Sequence, residues 1–85
     1  MSDLISGKYA GYEGLYNYFN IQATGSSRDQ IVQNGLKEAK TGSTMMLPDG
    51  TVSSGSWDTP TKALIGGSLK FANLYILKKT KLFPN

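Results

Sequence analysis

Apolar and polar positions divide the chain into four stretches, each with its own spacing. From residue 28 to residue 41, RDQIVQNGLKEAKT places Ile31, Val32, Leu36 and Ala39 on one stripe at helical spacing. Ser26 and Ser27 offer an N-cap, Asp29 and Gln30 fill the first turn, and Gly42 offers a stop. Residues 43 to 56 centre on Pro48-Asp49-Gly50, a turn signal flanked by strand-compatible residues, and predict a small hairpin. Trp57-Asp58-Thr59-Pro60 then starts a second helix over 59 to 77, with Asp58 or Thr59 as cap and Pro60 in the first turn. Leu64, Ser68, Phe71 and Tyr75 share one face, with Ile65, Leu69, Ala72 and Ile76 beside them. That helix is nearly apolar all round, which calls for burial on more than one side.

The opening stretch, residues 1 to 27, behaves differently. Gly7, Gly11 and Gly14 disfavour a helix before Leu15, and Tyr16 to Ile21 reads as strand or as a short helical turn. The expected fold class is therefore mainly α in an α+β arrangement, two helices plus a small hairpin, in one domain. One broad apolar helix and one short helix do not cover each other at this length. A further segment, a complementary chain or self-association is expected to complete the core.

Composition excludes several chemistries. The 85 residues contain neither cysteine nor histidine, so disulfides, thiolate zinc sites and Ser-His-Asp or Cys-His hydrolases are ruled out for this chain alone. No carboxylates lie close together in sequence, so no metal and no cofactor is expected. Gly66-Gly67 lies inside a helix rather than in a phosphate-binding loop, and serves close helix packing instead. Nine Lys and Arg against six Asp and Glu leave a charge of +3, and Lys62, Lys70, Lys78, Lys79 and Lys81 fall in the last third. Such a tail suits either an anionic polymer or a solvated helix end that complements the macrodipole. The aromatics are N-terminal and the lysines C-terminal, unlike a stacking platform in a basic groove, so nucleic acid is not the expected partner. Lys62 and Lys70 interrupt the longest apolar tract, so no membrane span is expected, and MSDLISGK has no signal-peptide pattern.

Two stretches taken together carry a family resemblance. SGKYAGYEGLYNYFNI, residues 6 to 21, resembles the segment of glucosaminidase-type autolysins that ends in a Tyr-Asn-aromatic-Phe-Asn-Ile signature. WDTPTKALIGG, residues 57 to 67, is similar to the segment that opens the last helix of those domains, and NGLKEAK, residues 34 to 40, resembles their connecting helix. The family is that of bacterial and phage cell-wall glucosaminidases, glycoside hydrolase family 73, matched in its C-terminal part. The resemblance implies a partial lysozyme-like fold, a peptidoglycan glycan strand as substrate, and an extracellular, cell-wall or phage-virion setting. It also implies a catalytic glutamate on a helix preceding the aromatic signature, and nothing before Ser6 matches that element. A missing N-terminal segment or a partner chain is therefore expected to supply the acid. The alternative is a non-catalytic wall-binding or phage lysin and tail module. Gln22 stands where glycine is usual in the family, and residues 43 to 56 look like an insertion.

Within that frame each candidate has a physical reason. Glycosidic hydrolysis uses a pair of carboxyl groups, one of them a general acid. Glu13, among Tyr9, Tyr12, Tyr16, Tyr18 and Phe19, is the carboxylate that an aromatic enclosure would tune for that role, as an assisting group more than as principal acid. Asp29 and Asp58 read as helix-start residues, Asp49 as a turn residue, and Glu38 as a residue of the solvent face of its helix. Tyr16 and Tyr18 offer rings to the C–H faces of sugars, while Asn17 and Asn20 offer amides to N-acetyl groups. Phe19 and Ile21 are expected in the core. Trp57 is either a groove wall or a core residue against the helix it precedes, and Tyr75 is a groove candidate on the last helix.

Overall fold

The computed structural model describes residues 2–81, with the side chains of Ser2 and of residues 79–81 outside that description. After a short 3-10 turn at Ser2–Leu4 come α1 (Arg28–Thr41), β1 (Ser43–Met46), β2 (Val52–Gly55) and α2 (Pro60–Lys81). This is a mixed α+β arrangement of two helices and one antiparallel hairpin, with Ser43 opposite Gly55 and Met46 opposite Val52. Residues 5–27 form neither of the alternatives open at Tyr16–Ile21. They run as a chain of turns.

The helix starts follow from the caps. The Ser27 hydroxyl accepts the Gln30 N–H at 3.2 Å, while Gln30 Oε1 reaches back to the Ser26 N–H at 2.7 Å, satisfying amides that α1 leaves open. At the other end Gly42 has φ 68° and its N–H donates to the Glu38 carbonyl. A side chain there would run into the Gly55 carbonyl, so glycine both ends α1 and lets the hairpin return beside it. Thr59 is the cap of α2, its hydroxyl taking the Lys62 N–H at 3.1 Å, and Asp58 pairs with the Lys62 ammonium instead. The turn of the hairpin closes through Gly50 N–H to the Leu47 carbonyl, with Asp49 accepting from both Thr51 N–H and Thr51 Oγ1.

Two apolar clusters make the core. Leu4, Val32 and Leu36 form one, covered by Tyr9, Tyr12 and Ala23; Ile21, Ala39, Met45, Trp57 and Ala63 form the other, covered by Tyr16, Tyr18, Phe19, Leu47 and Ile65. Leu15 packs against both. Gly66 and Gly67 allow α2 to approach: a Cβ on Gly66 would meet Trp57, Ser43 and Met45, and one on Gly67 would lie 2.8 Å from Phe19. Past Lys70 nothing on α2 up to Lys78 is buried. The helix also outruns its expected end at residue 77 by four positions, because Leu77, Lys78 and Lys79 carry no stop signal. The radius of gyration, 13.6 Å, exceeds the roughly 12 Å usual for this length, as a projecting helix end requires. Among the described residues no helix is long and apolar enough to cross a membrane.

Two strained or charged turns give direct tests. Ala23 N–H bonds to the Asn20 carbonyl, and Gln22, third in that turn, has φ 58°, a conformation that costs an L-residue about 1–2 kcal/mol. Gln22→Gly removes that cost at the expense of chain entropy, and should raise the melting temperature by about 2–4 °C. A lower melting temperature would show that the Gln22 side chain contributes more than the backbone costs. The Thr51 hydroxyl and amide hold the Asp49 carboxyl below its ordinary 3.8. Because the folded value is the depressed one, the contribution is complete above pH 3.8 and lost as pH falls through the folded value. The Thr51 amide resonance should titrate with a midpoint under 3.8 and lose that titration in Asp49→Asn.

Candidate functional site

The aromatic segment is built on one buried amide. Asn17 is fully buried, the one buried polar or charged side chain among the described residues. Its Nδ2 donates to the carbonyls of Ile21 at 2.8 Å and Gly35 at 2.9 Å, and its Oδ1 accepts the Ile21 N–H at 3.1 Å. Its own N–H donates to the Leu4 carbonyl at 2.7 Å. A segment without helix or sheet has backbone groups that need partners, and Asn17 supplies them from the side. The expectation that Asn17 faces a sugar is therefore corrected: every polar atom of its side chain is committed inside the fold.

Trp57 is corrected in the same way. It is fully buried, with Nε1–H donating to Ser43 Oγ at 2.9 Å, so it is the core residue of its two alternatives and not a groove wall. Indole burial is favourable when its single donor finds a partner, and Ser43 provides it. Glu13 lacks the aromatic enclosure its neighbours in sequence promised. Tyr9 and Tyr12 turn onto the Leu4 cluster, and Glu13 stays exposed, accepting the Gly11 N–H at 3.3 Å.

What remains at the surface is a smaller set. The rings of Tyr16 and Tyr18 are half-buried and stacked, with centroids 6.1 Å apart and an interplanar angle of 24°. Packing against the Trp57 cluster holds both, which is the rigid footing that a stacking platform needs. Asn20 is exposed beside them in sequence, with φ 53°. Tyr75 is 55% exposed on the projecting half of α2.

One further feature escaped the pattern of the sequence. A cleft of about 370 Å³ opens between β1 and α2, lined by Ser43, Thr44, Leu69, Lys70, Asn73 and Leu74. At its edge the Lys70 ammonium pairs with the Glu38 carboxylate, and both side chains are largely covered. Glu38 is thus not on a solvent face; it is the α1 partner of a helix–helix ion pair. The signal was present in the spacing, because Lys70 falls on the stripe of Ala63, Gly66 and Gly67, and a lysine on a docking stripe calls for a carboxylate opposite. Glu38 gave no comparable hint, since one polar residue between Leu36 and Ala39 is ordinary on a helix edge.

Among the described residues no group of three acidic side chains gathers into a metal-binding cluster. No known protein family, curated protein or solved structure matches the chain.

The roles of Asn17 and the surface tyrosines separate by mutation. Asn17→Ala leaves the Ile21 carbonyl and N–H buried without partners, at about 1–3 kcal/mol each, and takes the second donor from the Gly35 carbonyl of α1. The melting temperature should fall by roughly 10 °C or more. A variant of unchanged stability would return Asn17 to the surface.

Proposed function

We propose that this chain is the glycan-holding part of a lysozyme-like peptidoglycan endo-β-N-acetylglucosaminidase acting at the cell wall or from a phage particle. Its principal catalytic acid would come from a segment or chain outside these 85 residues. The observation that carries the reading is the meeting of the two stretches on which the family resemblance rests. Tyr16 N–H donates to the Trp57 carbonyl at 3.1 Å, Phe19 lies against Gly67, and Ile21 shares a cluster with Trp57 and Ala63. Stretches that resemble one family's signatures, and are far apart in the chain, here form one packed unit. Gln22 adds support: the position at which glycine is usual in that family has the positive φ that glycine adopts without strain.

In this reading Tyr16 and Tyr18 stack against sugar faces and Asn20 contacts N-acetyl or hydroxyl groups, while Tyr75 extends the contact from α2. Protonating a glycosidic oxygen needs a carboxylic acid held in a dry setting close to it. Glu13, Asp29, Asp49 and Asp58 are exposed, and Asp3 and Glu38 are held by Arg28 and Lys70. This distribution also favours the second reading, a non-catalytic wall-binding module built on the same tyrosines.

Pelleting with purified Gram-positive walls tests the binding part, and turbidity clearing tests the chemistry. The chain should pellet without clearing, and Tyr18→Ala should weaken pelleting at least about tenfold while keeping a cooperative thermal transition. A well-folded chain that stays in the supernatant would sink both readings. Clearing by the chain alone, abolished in Glu13→Gln, would make it a complete enzyme. Clearing restored by an added glutamate-bearing segment would separate the glucosaminidase from the passive module.

A further inference from the structure

Among the described residues only two other than glycine have positive φ, Asn20 at 53° and Gln22 at 58°. Asparagine tolerates that conformation because its short amide can bond locally, and glutamine has no such allowance. The strain at Gln22 is imposed by its neighbours. Buried Asn17 holds the carbonyl and the N–H of Ile21 just before it, and the Gln22 carbonyl accepts the Thr24 N–H at 2.9 Å. The Gln22 side chain takes no part in this. It is exposed, and among the described residues its amide has no hydrogen-bond partner. Strained backbone persists where the surroundings over-determine it, and it gathers at ligand clamps and active sites.

The place of Gln22 in the fold gives that free amide a target. The turn closed by the Ala23 N–H on the Asn20 carbonyl puts two exposed carboxamide residues, Asn20 and Gln22, at one corner. Ile21 between them is buried in the Trp57 cluster, against which Tyr16 and Tyr18 also pack. The corner and the stacked ring pair thus stand on one support, and the corner follows the rings directly in the chain. No charged residue occurs between Glu13 and Arg28, so this surface suits an uncharged ligand. A carboxamide both donates and accepts, which matches the N–H and the carbonyl of a secondary amide with two hydrogen bonds. A carboxylate would only accept and an ammonium only donate.

We propose that Gln22 is a specificity-determining residue for N-acetylated sugars, its carboxamide bonding the acetamido group of a glycan stacked on Tyr16 and Tyr18. The inference rests on the glycan-holding reading and adds to it the residue that tells an acetylated sugar from its free amine. It also gives the strain at Gln22 a use. Glycine would relieve the backbone there, but it would leave the corner without its longer amide.

Calorimetric titration with oligosaccharides of N-acetylglucosamine, and with their de-N-acetylated counterparts, tests this. Gln22→Gly and Gln22→Ala should each weaken binding of the acetylated form about three- to tenfold, the worth of a hydrogen bond or two. Gln22→Asn, which keeps a carboxamide, should retain most of the affinity. Binding of the de-N-acetylated form should be the same in all four proteins, which carry equal charge. Gln22→Gly should therefore bind less tightly without melting lower, a combination that a merely structural role does not produce. Unchanged affinity of Gln22→Gly and Gln22→Ala for the acetylated form would overturn the inference and leave the glycan reading standing. A loss confined to Gln22→Gly would assign the effect to backbone stiffness, and an equal loss on both oligosaccharides would remove the acetamido group from the account. A wild-type chain that binds neither walls nor oligosaccharide would sink the glycan reading and this inference together.

Discussion

Both helices, β1 and the aromatic segment are tied to Trp57. Its N–H donates to the Ala39 carbonyl of α1, its own carbonyl accepts from Tyr16, its indole donates to Ser43 of β1, and its ring lies where Gly66 of α2 leaves room. Four stretches that make few contacts of their own thereby share one buried residue. Truncating a buried tryptophan costs about 3–5 kcal/mol. A domain of this length has only about 4–13 kcal/mol in total. A site that also faced substrate would be hard to reconcile with that role, because movement at Trp57 would be felt by both helices and the hairpin.

Asn17 plays the complementary part for the segment that has no regular structure. Helices and sheets satisfy their backbones internally, but residues 5–27 turn repeatedly and leave carbonyls pointing inward. One amide answers both the carbonyl and the N–H of Ile21 and ties them to the Gly35 carbonyl of α1. This keeps Tyr16 and Tyr18 rigid at the surface, since both flank a residue that cannot move without exposing buried polar groups. The tyrosines can thus be presented to a ligand without being loose.

The charges divide in a similar way. Arg28 with Asp3 and Lys62 with Asp58 are exposed pairs of the kind that contributes little. Glu38 with Lys70 is different, because it spans α1 and α2 where both side chains are mostly covered. Beside it the Phe71 ring meets that of Phe19, with centroids 5.9 Å apart. Farther along the helix Leu74, Tyr75, Ile76 and Leu77 are between 39% and 59% exposed.

Much of this was legible in the order of residues. Ser27, Gly42, Thr59 and Pro60 mark helix boundaries through local chemistry, and Pro48-Asp49-Gly50 marks the hairpin, because caps and turns act within a few residues of themselves. The underfilled core could also be read, since the apolar positions of the second helix outnumber the partners the chain contains. The orientation of side chains in the opening segment could not. Asn17 and Asn20, or Glu13 and Glu38, are alike as sequence, and only long-range contacts decided which would be buried, paired or exposed. Periodicity assigns a residue to a face when a helix or strand supplies the period. Where the chain turns at almost every step no period exists, and which way a side chain faces is set by partners distant in sequence, as Gly35 is for Asn17; on α1, where a period exists, Glu38 is covered because the Lys70 ammonium of α2 meets it.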